Sequence, residues 1–139
     1  MRPGKTKISF VGQRARGFTQ EPGKFDPADT GEAFRSEVLE QLRRAGSDIN
    51  RTHEFDFFLY FPTAVAARTA AARARRSEFS TRVAPAPVGK GWLCRAKISV
   101  VPDLAPWHEI RRFFTQLAAS LEGEFDGWES EVVKRGRKT

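Results

Sequence analysis

Gly123-Glu124-Phe125-Asp126-Gly127-Trp128-Glu129 is the stretch that decides the fold. It follows directly on a helix-like run and sets two aromatics inside an acidic strand broken by glycine. Gly123 fits the left-handed position just past a helix, where a Cβ is unwelcome. Gly127 predicts a bulge or a close approach of another backbone. A last helix that runs into a last strand requires partner strands upstream.

Those strands are legible. Asp103 reads as the cap of the last helix, with Pro106 in its first turn. Trp107, Ile110, Phe114, Leu117, Ala118 and Leu121 make its apolar stripe, opposite Glu109, Arg112 and Gln116. Before it, Trp92 to Val101 alternates: Trp92, Cys94, Ala96, Ile98 and Val100 against Leu93, Arg95, Lys97, Ser99 and Val101. Pro85 to Gly91 is a turn and Phe79 to Ala84 a short strand. Thr63 caps an alanine-rich helix over 64–76. His53 to Phe61 is the strongest strand. Phe55, Phe57, Leu59 and Phe61 share one face, Glu54, Asp56, Phe58 and Tyr60 the other, and Pro62 ends it. An earlier helix spans about Thr30 to Ala45, capped by Asp29 or Thr30 and stopped by Gly46, with Phe34, Val38, Leu42 and Ala45 as its stripe.

From residue 53 the order is strand, helix, strand, strand, helix, strand. That is the split βαβ pattern, and it predicts an α+β protein with a ferredoxin-like βαββαβ sandwich. The sheet is expected to be antiparallel and four-stranded, with two helices on one face. The additional N-terminal helix is expected to cover an edge or part of the open face. Residues 29–133 form the domain, 134–139 a basic tail, and 1–28 a partly ordered extension in which residues 6–11 have the character of a short strand.

The chain has 139 residues and one cysteine, so it needs no disulfide to hold a core and can form none internally. No apolar run is long enough to span a membrane, and the N-terminus lacks the apolar core of a secretory signal, so a cytoplasmic protein is expected. The net charge is +7 and uneven: residues 51–100 hold nine Arg and Lys against three Asp and Glu. An arginine-rich middle attracts phosphates or acidic protein surfaces, or is simply a solvated helix face.

No catalytic constellation assembles. His53 and His108 lack convergent ligands, and a single cysteine gives no zinc pattern, so no metal or cofactor is expected. Cys94 alternates with core residues and reads as an inert buried thiol. The carboxylate pairs Glu54/Asp56 and Asp126/Glu129 lie on strands among arginines and read as solvated or salt-bridged surface. Gly89-Lys90-Gly91 is a hairpin tip, too short to cradle phosphate.

The pattern Ala45-Gly46-Ser47-Asp48, His53, Phe58-Leu59-Tyr60-Phe61-Pro62, Gly91-Trp92 and Glu124-Phe125-Asp126-Gly127-Trp128-Glu129 resembles the regulator of ribonuclease E activity B family, over about residues 31–133. The resemblance implies a ferredoxin-like fold and a protein that inhibits a ribonuclease by binding it. It thus implies a non-enzymatic regulator with a protein partner, a ribonuclease among the candidates. Familiar members are acidic, whereas this chain ends in Lys134-Arg135-Gly136-Arg137-Lys138.

Two surfaces follow as expectations. Phe58, Tyr60, Arg95, Lys97, Asp126 and Trp128 are the candidates for the partner-binding set. Trp128 is either core or an interface anchor, because a bulge at Gly127 would bring Phe125 and Trp128 onto one face. The alternative is RNA bound through basic faces and open-sheet aromatics, using Arg68, Arg75, Arg76, Arg82, Arg111 and Arg112.

Overall fold

The computed structural model describes residues 7–11 and 32–135. In chain order it has β1 (Lys7–Val11), α1 (Glu32–Arg44), β2 (His53–Phe61), α2 (Ala64–Arg76), β3 (Ser80–Pro85), β4 (Trp92–Val100), α3 (Trp107–Ser120) and β5 (Glu124–Glu131). The helix cap expected at Asp29 or Thr30, and most of the N-terminal extension, lie outside the described residues, as does the tail beyond Arg135.

The architecture is α+β: an open antiparallel sheet in the order β1-β5-β2-β4-β3, with the helices packed on one face. Among the described residues the sheet has five strands, which corrects the expected four. The extra one is β1, paired along the outer edge of β5 from Lys7 opposite Glu131 to Val11 opposite Gly127. Its physical basis is a short alternation: Ile8 and Phe10 turn to the helix side and pack on the core.

β2 forms because its phenylalanines alternate. Phe55, Phe57 and Leu59 are fully buried beneath the helices. Pro62 ends the strand, and the Thr63 hydroxyl oxygen accepts the Ala66 N–H at 3.1 Å to start α2. α2 turns Ala67, Ala70, Ala71 and Ala74 inward, so small side chains bring it close to the sheet. α3 contributes Trp107, Ile110, Phe114 and Leu117. The core is aromatic: Phe57 and Phe114 have ring centroids 4.9 Å apart, and Phe55 meets Trp107 edge-on at 5.0 Å. α1 covers neither an edge nor the open face. Phe34 meets both Trp107 and Phe125 edge-on, which sets α1 beside α3 in the helical layer.

Three local expectations change. Asp103 does not cap α3; Pro106 holds that position without a side-chain bond, and Asp103 instead pairs with Arg35 at 3.3 Å. Gly123 is not the left-handed residue after α3. Glu122 takes that conformation (φ 62°), and Gly123 N–H bonds back to the Ala118 carbonyl in a Schellman motif. Gly123 is glycine for another reason: a Cβ there would strike the Phe61 ring and the Tyr60 carbonyl oxygen.

Candidate partner-binding face

β5 carries a bulge. Phe58 lies opposite Gly127 and Leu59 opposite Phe125, so Asp126 is the extra residue between them. The bulge resets the alternation and puts Phe125 and Trp128 on the same, helix-facing side. Trp128 is fully buried and stacks on Phe10 at 6.3 Å, so it is core and not an exposed anchor. Gly127 has φ 137°, and a Cβ there would strike the Phe10 carbonyl oxygen and lie 2.6 Å from the Val11 Cα. Both readings of this glycine hold: it marks a bulge and a close backbone approach.

The open face consists of rows set by the strand register. One runs Ser9, Glu129, Asp56, Lys97, Ser80; the next runs Val11, Gly127, Phe58, Arg95, Arg82. Arg95 is the centre. Its guanidinium lies 5.0 Å from the Phe58 ring centroid and bonds Asp56 Oδ2 at 3.1 Å and Glu129 Oε1 at 3.5 Å. Asp56 is nearly buried, so this charge pair is partly desolvated. Around it, Lys97 pairs with Glu54 at 3.8 Å, Lys7 with Glu129 at 3.9 Å, and the Ser9 hydroxyl donates to Glu129 Oε2 at 3.0 Å. Of the carboxylates expected to be solvated or salt-bridged surface, Glu54, Asp56 and Glu129 are salt-bridged, while Asp56 and Asp126 are buried. A shallow depression of about 260 Å³ opens between Asp56, Arg82, Arg95 and Lys97.

Among the described residues this face carries Glu54, Asp56, Glu124, Glu129 and Glu131 against Lys7, Arg82, Arg95 and Lys97. It is a mixed lattice, not a cationic one, although the whole chain is basic. Of the expected partner-binding residues, the structure brings Phe58, Arg95 and Lys97 together. Tyr60 has the right parity but is buried at the end of the sheet. It borders a hollow of about 540 Å³ shared with Pro62, Lys90, Glu122 and Glu124. Asp126 is buried in the bulge.

The six arginines of the RNA set do not form one surface. Arg68, Arg75 and Arg76 are exposed on α2 and Arg112 on α3, while Arg82 points to the opposite side of the sheet. Arg111 is buried, its guanidinium 5.7 Å from the Phe34 ring centroid. The sequence held a signal for this: Arg111 follows Trp107 by four residues and precedes Phe114 by three, which places it on the apolar stripe.

A second cluster escaped sequence reasoning. His53 is fully buried. Its Nδ1–H donates to the Arg51 carbonyl at 2.7 Å, because a carbonyl can only accept, and its Nε2 is hydrogen-bonded to the Ser47 hydroxyl at 2.6 Å. Ser47 Oγ in turn accepts the Val133 N–H at 2.8 Å. The serine–histidine pair is thereby consumed in tying the chain after β5 to the end of α1. Cys94 is buried, and burial pushes its thiol up to about 11 despite the opposing field of Arg75. It is a core thiol, as its alternation implied.

No helix among the described residues is long and apolar enough to cross a membrane. No curated protein matches the chain significantly. A family model does: regulator of ribonuclease activity B matches residues 32–130, from the start of α1 to the end of the Glu129–Ser130 pairing. That span contains the whole helical layer, the strands β2 to β4 and nearly all of β5, and on it the chain belongs to the regulator of ribonuclease activity B family.

Proposed function

We propose that this chain is a non-catalytic, cytoplasmic regulator that acts by binding a protein, with a ribonuclease as the target, and that the open sheet face makes the contact. The observation that carries this reading is the charge lattice around Arg95. Alternating cations and carboxylates, fixed by register and mutual pairing, suit a partner surface of mixed charge. A polyanion would meet five carboxylates there. Phe58 lies partly beneath the Arg95 guanidinium, which leaves it poorly placed to stack a base. The strands β2 to β5, in the order β5-β2-β4-β3 with α2 and α3 as crossovers, support a ferredoxin-like reading of the family domain.

The test is a cleavage assay with purified ribonuclease from the same source, with and without the chain. Added chain should change the cleavage rate, and Lys97→Glu, on an exposed position, should weaken the effect several-fold. Unchanged rates together with no co-purified ribonuclease would overturn the reading. A second reading has one observation in its favour: α2 holds Arg68, Arg73, Arg75 and Arg76 with no carboxylate. RNA bound there would be lost steeply as salt rises.

A further inference from the structure

The outer edge of β5 is built to receive a strand. Gly127 lacks the side chain that would strike the incoming backbone. On the helix side, the edge offers the face of Trp128 to Phe10, and Ile8 lies opposite Ser130. On the open side, Glu129 meets the Ser9 hydroxyl and the Lys7 ammonium, and Glu131 lies opposite Lys7. The site therefore reads an alternation of cation, apolar, hydroxyl, apolar over four residues.

The occupant is an edge strand. β1 lies outside the span matched by the family model, and among the described residues it pairs with β5 alone. It spans five residues. The twenty residues 12–31 that join it to α1 include four glycines and two prolines. An edge strand with free backbone groups is a template for another extended chain.

We infer that the β5 edge is an acceptor site for an extended segment of a partner protein with that cation–apolar–hydroxyl–apolar pattern, and that β1 is a cis-bound occupant which the partner displaces. This rests on the reading that the chain acts by binding a protein, and it adds where a linear segment of that protein docks. A twenty-residue connection between site and occupant corresponds to an effective concentration on the order of 1 mM. If the strand alone binds with a Kd about a tenth of that concentration, cis occupancy lowers the apparent affinity of a competing strand about tenfold.

The experiment places a site for a sequence-specific protease between residues 17 and 25 of the full chain. The cleaved protein is dialysed and titrated with a fluorescent peptide of this chain's own residues 5–12. The expected result is that the N-terminal piece leaves, the circular dichroism is kept, and the peptide binds about tenfold more tightly than to the uncleaved chain. A peptide carrying Phe10→Asp should not bind, which needs no variant of the domain to fold. Gly127→Val in the cleaved chain should abolish binding. Retention of the N-terminal piece through dialysis, or unfolding on its loss, would overturn the inference by making β1 an integral strand. A dimer of the uncleaved chain that Phe10→Asp returns to monomer would assign the site to a second copy and overturn the partner reading. None of these results depends on ribonuclease activity, so failure here and failure of the proposed regulatory role can be told apart.

Discussion

Replacing Arg95 with methionine removes the cation and keeps most of the aliphatic stem. Three things are lost: the 3.1 Å bond to Asp56, the 3.5 Å bond to Glu129, and the contact over Phe58. Fully exposed ion pairs contribute about 0.2–1 kcal/mol, whereas breaking a buried one costs about 3–5. The side chains here are 36% exposed for Arg95 and 10% for Asp56, which lies between those limits. We expect a cost of about 2 kcal/mol, most of it the penalty of leaving the Asp56 carboxylate beside Glu129 without its Arg95 ion pair. Asp56→Asn should cost less, about 1 kcal/mol, because Arg95 keeps Glu129.

The double variant decides the mechanism. If the cost of Arg95→Met is a stranded carboxylate, removing that carboxylate as well should restore about 1 kcal/mol, so the double variant costs about 1 kcal/mol and the cycle will show a coupling of about 2 kcal/mol. The assay is urea unfolding at neutral pH for the four proteins of the cycle. Partly buried pairs are screened little, so the coupling should survive 1 M salt largely intact. Single costs that add to within about 0.3 kcal/mol would refute the argument, since independent sites behave that way. The face would then be a set of solvated charges with no fixed geometry to offer a partner.

Cys94 is an acid whose folded value, about 11, lies above its ordinary 9.0. Above pH 9 the unfolded chain therefore binds fewer protons than the folded one, so stability should fall by about 1.4 kcal/mol per pH unit up to pH 11; in Cys94→Ala that part of the alkaline loss should vanish from the denaturation curves. Glu122→Gly should stabilise by about 0.5–1 kcal/mol, because its φ of 62° suits glycine. Gly123→Ala should instead destabilise by more than 1 kcal/mol through its collision with Phe61 and Tyr60, and thermal melts of the two variants read both signs. Ser47→Ala strands His53 Nε2 and the Val133 N–H, so we expect a loss of about 2–3 kcal/mol and faster hydrogen exchange at Val133; an unchanged exchange rate there would contradict the clip.

Most of the helical layer and the inner strands were legible because their signals are long. β2 alternates over nine residues, and α3 repeats its stripe over fourteen. β1 has only five residues, so its alternation says little until β5 is seen to need an edge partner. The place of α1 was not legible either. An amphipathic stripe says that a helix is covered, not by what, and only the contacts of Phe34 with Trp107 and Phe125 choose the helical side. The glycine just after α3 shows the same limit. Gly123 reads as a left-handed cap because glycine is favoured there, yet the chain places a glutamate in that conformation and keeps the glycine to let Phe61 pass.

The site was legible in its parity and illegible in its pairing. Phe58, Arg95 and Lys97 share a face by counting alone, because a strand has a period of two. What counting cannot give is which residue of β5 stands opposite. Read straight through, β5 would put Trp128 beside Asp56 and Glu129 beside Phe55, an aromatic in solvent and a carboxylate in the core. The extra residue at Asp126 reverses both: Trp128 pairs with Phe57, and Glu129 comes within reach of Arg95. A one-residue slip exchanges every side chain between faces, so the bulge is what the core demands and the charge lattice is its consequence. The net charge of +7 points to a polyanion, but composition counts charges without their partners. Register pairs them, and on the open face it leaves a patterned, nearly balanced surface. For this chain the nature of the partner is therefore an argument about strand register first, and about total charge only where α2 leaves its arginines unbalanced.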